Sequence, residues 1–387
     1  MSVAQVQFSQ VAKVDRISAS QDECIHLPYI GLEHIESEKG KLVEEYQQKP
    51  EALLATKFLF TENHVLYGKL RPYLNKRLKP NFKGVCSIEI LPILANPDLL
   101  DKSYLYFYFS TKNFVDWASL NVSGANLPRL SPNLLEELII PLPPLKQQRR
   151  IAHKLEQADR LRRLRAYAVE IGDRYLQEIF LRFFGDPASN PKGWDILTLD
   201  DLKTDFRYGT SVKSSSVKPG LPVLRIPNIL NRRISVTDMK YVEVKPNEAK
   251  RLTLEHGDIL FVRTNGNPNY VGRCTVFNMD EKYVFASYLI RARFDHRTIN
   301  PYFLESYLQH NVGRRAMQPY IRTTAGQSNI SMEGLGQIPV PLPPIKLQEH
   351  FAQIVQKHER VRRMQLEALR QSEALYDTLL AQAFGEA

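Results

Sequence analysis

Cysteine is scarce in this chain: Cys24, Cys86 and Cys274 are its only three, far apart and in no CxxC or Cys/His cluster. That spacing excludes a disulfide framework and a ribbon- or finger-type zinc site, and predicts a reducing, cytoplasmic setting. Long apolar runs are missing too. None approaches the roughly 18 residues needed to span a bilayer, and the N-terminus has no signal-peptide apolar core. The nine histidines show no HExxH or facial-triad spacing, so no metal site is expected, and no GxxxxGK[ST] phosphate loop occurs. Low-complexity stretches are absent, and at 387 residues the chain can bury two or three cores. What it does carry is charge. A formal net charge of +10 and a pI near 9.3 suggest a polyanionic partner.

Internal repetition decides the organisation. Pro141-Leu142-Pro143-Pro144-Leu145-Lys146 recurs as Pro341-Leu342-Pro343-Pro344-Ile345-Lys346. The match runs on without a gap: Gln148 meets Gln348, Arg160-Leu161-Arg162-Arg163 meets Arg360-Val361-Arg362-Arg363, and Phe184-Gly185 meets Phe384-Gly385. A weaker echo aligns Tyr29–Ile35 with Val223–Ile229, and Val65–Lys69 with Ile259–Arg263, at a slightly shorter offset. There the apolar pattern is kept while the polar identities diverge.

The repeated block predicts a helix. Paired prolines are tolerated where the first amides have no intrahelical partner. Apolar residues then step by three and four through Ile151, Leu155, Ala158, Leu161, Leu164, Ala168, Ile171, Tyr175 and Ile179. Phe351, Val355, Val361, Met364, Ala368, Leu375 and Leu379 repeat that register, and Gly185 and Gly385 stand where the helices should stop. A helix of roughly 35–40 residues needs a partner for its stripe, and the other copy supplies one. The segments between read as mixed α/β. Gly84–Ile93 and Lys282–Phe294 predict strand, Asp101–Phe114 and Asn300–Met317 one helix each, Pro97-Asp98 a helix start, and Asp186–Trp194 a linker. The expected fold class is α+β: two mixed α/β domains and two long helices packed as an antiparallel coiled coil, with an internal pseudo-two-fold repeat. Residues 1–140 and 187–340 would be the two globular domains, and 141–186 and 341–387 the helical regions.

Two related globules joined by such helices would share the dyad of duplex DNA, so two unlike half-sites could be read at a fixed separation. The polar residues fit that use. In the first copy the candidates are Lys69, Arg71, Tyr73, Asn75, Lys76, Arg77, Asn126 and Arg129, with Lys79 and Ser123 nearby. In the second they are Tyr208, Thr210, Ser211, Lys213, Arg263, Asn265, Asn267, Asn269, Arg273, Arg322, Thr323, Gln327 and Asn329. Arg and Lys serve phosphates and guanine edges, while Asn and Gln pair bidentately with adenine. Any single one also reads as an ordinary solvated loop residue; their strength lies in recurring at corresponding places.

The Pro-Leu-Pro-Pro-(Leu/Ile)-Lys-x-Gln block leading twice into a long helix resembles the conserved regions of specificity subunits of type I restriction–modification systems. Gly68-Lys69-Leu70-Arg71-Pro72-Tyr73-Leu74-Asn75-Lys76 and Gly257–Asn267 resemble segments of that family's target-recognition domains. The resemblance implies a non-catalytic subunit with two target-recognition domains reading double-stranded DNA at a bipartite site. It also implies two methyltransferase (modification) subunits as partners, and restriction subunits in the full complex. S-adenosylmethionine, ATP and Mg would then belong to those partners, with no cofactor on this chain.

Two other readings stay open. A catalytic DNA adenine methyltransferase needs an Asn/Asp-Pro-Pro-(Tyr/Phe) motif and a glycine-rich cofactor loop. Asn267-Pro268-Asn269-Tyr270 has asparagine in place of the second proline, no such loop is present, and the stretch reads as a turn. A two-lobed protein scaffold would use the same architecture without reading DNA.

Overall fold

The computed structural model describes residues 3–43, 46, 56–124, 126–230 and 233–385. The chain forms two compact units, Met1–Tyr167 with Leu366–Ala387, and Ala168–Gln365. Each is a mixed α/β body, and each takes one half of both long helices.

In the first unit, His64–Gly68 lies between Ile90–Ala95 and Arg77–Leu78, with Ala12–Val14 outside Ile90–Ala95, all antiparallel. In the second, Ile259–Val262 lies between Leu289–Phe294 and Cys274–Val276, with Lys203–Tyr208 in the outer place. The two four-stranded sheets have the same strand order, and the central strands are the two segments aligned in the sequence. Both central strands are buried along their whole length, because the sheet is covered on both faces; hence their continuous apolar runs. A three-stranded sheet sits beside each. Tyr29–Ile30 pairs parallel with Gly84–Ser87, and Leu221–Leu224 pairs parallel with Val284–Phe285. The third strand is attached differently: Lys57–Phe60 joins Gly84–Ser87, whereas Lys240–Val242 joins Leu221–Leu224.

Several local expectations need correction. Asp101–Phe114 is two helices, Lys102–Tyr108 and Lys112–Leu120, because the Thr111 hydroxyl accepts the Phe114 amide and starts a new N-terminus. Asn300–Met317 breaks likewise at His310, whose ring nitrogen accepts from the Val312 amide. Pro97-Asp98 is a turn; the helix begins after Asp101, whose carboxylate accepts the Tyr104 amide. Gly84–Ile93 and Lys282–Phe294 are each two strands split by a short turn.

The long helices are Leu145–Phe184 and Ile345–Phe384, 40 residues each. The carbonyls of Pro144 and Pro344 accept the first helical amides, and Gly185 and Gly385 end the helices at φ +79° and +72°. In the first unit, the opening residues Ala152, Leu155 and Ala158 share a core with Tyr376 and Leu380 from the end of the second helix. In the second unit, the closing residues Leu176, Phe180 and Phe184 share a core with Phe351 and Val355 from that helix's start. The packing is therefore antiparallel in both.

One side chain explains much of the repeated block. Gln148 is fully buried, accepts the Asp101 amide at 2.8 Å, and donates to the carbonyls of Leu99 and Pro143 at 2.9 and 2.8 Å. Gln348 repeats this with Asn300, Thr298 and Pro343 at 2.8, 3.4 and 2.6 Å. Each glutamine locks a helix start to the loop after a central-sheet strand. Tyr104 and Tyr307 add hydroxyl bonds to the Pro141 and Pro339 carbonyls.

The expected stripe is only partly internal. Leu161, Leu164, Ile171 and Tyr175 are exposed, as are Val361, Met364 and Leu375. Mid-helix contacts use another face, including Arg362 on Asp173 at 2.5 and 2.9 Å in the second unit and Arg165 on Ser372 at 2.6 Å in the first.

Candidate nucleic-acid interface

At the end of each four-stranded sheet the chain builds a small polar β-apron. In the second unit Gln327–Asn329 is the middle strand, flanked antiparallel by Thr264–Asn265 and Arg322–Thr324. Ala325 and Gly326, at φ +48° and +76°, make the tight turn of its hairpin. In the first unit Arg129–Leu130 pairs with Val122–Ser123 and bridges to Leu70. The construction is the same down to single bonds. The Leu130 amide donates to the Lys69 carbonyl and the Ile330 amide to the Arg263 carbonyl, both at 2.9 Å. The Lys69 amide meets the Glu89 carbonyl, and the Arg263 amide the Tyr288 carbonyl, again at 2.9 Å.

These aprons gather most candidates. In the second unit Arg263, Asn265, Arg322, Thr323, Gln327 and Asn329 lie on or beside the three strands. Arg322–Thr324, the outer strand, is wholly exposed. Thr323 bonds Ser328 at 2.8 Å, and the Thr264 hydroxyl donates to Gln327 at 3.4 Å. Arg263 is held rather than floppy: its guanidinium lies 4.4 Å from the Tyr208 ring centroid and donates to the Ser287 carbonyl at 3.2 Å. Tyr208 in turn accepts the Met332 amide at 3.1 Å. A planar fork pinned in this way is suited to bidentate recognition.

Asn265 and Asn267 form successive Asx turns, their side chains accepting the amides of Asn267 and Asn269 at 2.9 and 3.0 Å. Pro268–Tyr270 is one turn of 3-10 helix, and Arg273 stacks on Tyr270 at 4.3 Å. This is the turn expected from the sequence. Ser211 and Lys213 sit exposed on the neighbouring loop, while Thr210 is only 4% exposed and uses its hydroxyl to accept the Val212 amide. Thr210 therefore shapes that loop from inside.

In the first unit, Lys69, Arg71 and Tyr73 reach the surface, Tyr73 being 50% exposed. Arg71 and Asn75 both take left-handed backbone, at φ +52° and +41°, and bracket the tight turn Pro72–Leu74. Asn75 and Arg77 are 4% and 3% exposed, so they are interior residues. Asn75 donates to the Phe109 carbonyl at 3.0 Å, and Arg77 lies over Tyr106. Lys76 is tied to the Leu32 carbonyl and Lys79 to Glu156 and Ser103. Asn126 is exposed on the turn between the apron strands. Arg129 donates through Nε to both carboxylate oxygens of Glu89 at 3.0 and 3.2 Å, a pairing that raises the arginine above its usual range.

Two apron residues escaped sequence reasoning. Glu89 and Tyr288 occupy equivalent turns just before the strands Ile90–Ala95 and Leu289–Phe294, and Tyr288 is 58% exposed. Neither carries a motif; only the shared strand register marks them. No group of metal-ligating side chains is present among the described residues, and no helix there is long and apolar enough to cross a membrane.

The profile of the family described as "Type I restriction modification DNA specificity domain" matches residues 28–167 and 191–375. The chain is similar to the specificity subunit of the type I restriction enzyme EcoKI of Escherichia coli K12, 29% identical over 313 residues, 76% of this chain and 67% of that one. It is similar also to the EcoDI specificity subunit of Escherichia coli, 31% identical over 152 residues, 39% of this chain and 34% of the relative. The chain thus spans about two thirds of the first relative's length and about a third of the second's. Among solved structures, the S subunit of a type I system from M. genitalium superposes with a TM-score of 0.64 at 17% identity, covering 99% of this chain and 96% of that one. A chain from a structural study of complex assembly in a type I system superposes with a TM-score of 0.52 at 20% identity, covering 98% and 97%.

Proposed function

This chain belongs to the family of type I restriction–modification DNA specificity proteins, and on that premise we propose that it reads a bipartite DNA site, one half with each unit, and performs no catalysis itself. The observation that carries this reading is the duplicated apron: one backbone construction, two different sets of exposed polar side chains. Duplication supports two half-sites, and divergence supports unlike sequences in them.

Lys69, Arg71, Tyr73, Asn126 and Arg129 would read or flank one half. Arg263, Asn265, Asn267, Asn269, Arg273, Arg322, Thr323, Gln327 and Asn329 would serve the other, with Ser211 and Lys213 on phosphates. Asn75, Lys76, Arg77, Tyr208 and Thr210 would act by shaping those surfaces. Two methyltransferase subunits would dock on the long helices, where exposed Leu161, Leu164 and Tyr167 in the first unit and Ile171, Tyr175, Val361 and Met364 in the second offer apolar contact. Restriction subunits would join the full complex. S-adenosylmethionine, ATP and Mg would be bound by those partners, in the cytoplasm.

The test is co-purification with a methyltransferase partner and a genome-wide map of methylated adenines. A bipartite motif dependent on this chain is expected; a single continuous motif, or no dependence, overturns the proposal. The helices would also set the spacer. Inserting seven residues in the middle of both should change spacer length and leave both half-sites alone.

A further inference from the structure

Residues 35–42 of the first unit form a strap closed by an Ile35–Leu42 bridge and by the Glu36 amide on the Lys41 carbonyl. Glu36 pairs with Lys39 at 2.7 Å and Lys41 at 2.9 Å, stiffening it. The strap touches two things at once. On one side the Arg163 guanidinium, from the first long helix, donates to the Lys39 carbonyl at 3.0 Å. On the other, the Glu38 amide donates to the Leu74 carbonyl at 3.1 Å, inside the turn that carries Arg71 and Tyr73.

The helix side of this connection is itself braced. Asp159 pairs with Arg163 at 2.7 Å and with Arg162 at 2.6 Å, and Arg162 lies 4.0 Å from the ring centroid of Tyr376 on the second long helix. Tyr106 pins the strap from below through its hydroxyl on the Gly40 carbonyl at 3.1 Å. Between strap and helix runs a groove of about 470 Å³, whose wall includes Gly40, Arg163, and the exposed Leu164 and Tyr167.

In the second unit the corresponding position faces the helices with other chemistry. Arg233, offset by 194 from Lys39 as in the weaker sequence echo, is half-buried within electrostatic reach of Glu359, Asp173 and Arg362 on the helices. Glu359 and Arg362 are the repeat partners of Asp159 and Arg162.

We propose that Arg163 is a positioning residue for base reading: through the strap it fixes the aim of the Arg71–Asn75 turn, so that the helix pair governs how sharply the first unit discriminates its half-site. This rests on the reading of that turn as a DNA contact. It places a docked partner, seated on Leu164 and Tyr167, directly against the element that orients Arg71 and Tyr73.

The experiment uses the full chain assembled with its methyltransferase, carrying Arg163→Ala, Arg163→Lys or Gly40→Ala. Gly40 has φ +62°, and an added Cβ would come within 2.0 Å of the Tyr106 hydroxyl oxygen, so this variant breaks the strap without altering the helix. Initial methylation rates are compared on duplexes bearing single-base changes in each half-site. Arg163→Ala and Gly40→Ala should relax discrimination about tenfold at positions in one half only, with the other half unchanged and Arg163→Lys restoring most of it. Unchanged discrimination in both variants, or an equal loss in both halves, overturns the proposal. If the unaltered complex has no bipartite preference at all, the functional reading itself fails, and that outcome is visible before any variant is made.

Discussion

The two units match in their frames and part company at their rims. Gln148 and Gln348 make the same three bonds in the same order, and Tyr104 and Tyr307 each donate to a carbonyl of the strand that precedes a long helix. At the apron, Lys69 stands where Arg263 stands, and Ser123 where Arg322 stands. Arg129, neutralised by Glu89, corresponds to Asn329, and Glu89 corresponds to Tyr288. A buried polar group has one satisfactory arrangement and tolerates no change, whereas an exposed side chain on a fixed backbone can be exchanged at little cost to folding. Duplication therefore samples the same frame twice and separates residues that hold it from residues free to recognise something.

The largest effects should strike the frame, equally in both units. Gln148→Ala strands the Asp101 amide and two carbonyls in the interior, and Gln348→Ala does the same to its counterparts. Each should cost about 2–3 kcal/mol, measured by denaturant unfolding of the full chain. Unequal losses would break the equivalence drawn here. Arg263→Ala comes next. Removal of a pinned guanidinium should relax preference at one base position by about 1–3 kcal/mol, with the first unit's half-site untouched. A uniform loss across sequences would reassign Arg263 to a phosphate. Lys213→Gln is milder: binding should weaken alike for all sequences, and the slope of log K against log salt should fall by about 0.9.

The smallest effect is on acid stability. Burial pushes the Asp205 carboxyl up, but hydrogen bonds and charge from Arg207 and Arg291 outweigh it and hold the group below the ordinary carboxylate range. A depressed folded pKa means the stabilisation is full at neutral pH and is lost as pH falls through that depressed value. Asp205→Asn should accordingly lower stability at pH 7 and flatten the second unit's acid-unfolding limb below about pH 4. The first unit, whose Asp15 is held low by Lys13 and His64, should keep its own limb.

Some elements were legible beforehand for identifiable reasons. The long helices showed because 3.6-residue periodicity, paired prolines and terminal glycines are local signals, repeated twice. The central strands showed only as segments whose apolar pattern recurs between the two copies. The breaks at Thr111 and His310 did not, since a capping side chain inside an aromatic-rich segment looks like one more polar residue. The exposure of Leu161, Leu164, Ile171 and Tyr175 was hidden too, because a stripe records which face is apolar and not what covers it. Asn75, Arg77 and Thr210 looked like surface polar residues; their hydrogen bonds to distant carbonyls and near backbone took them inside.

Chain order alone determined that this protein is a duplicated α+β fold with two long helices and a conserved joint at each helix start. Those features rest on periodicity and on a repeat, which linear order preserves. Only tertiary structure decided which polar residues stand together. Segments some sixty residues apart, such as Lys69 and Arg129 or Arg263 and Asn329, are brought into one apron by β-pairing, and such pairing leaves no local trace in the residues that make it.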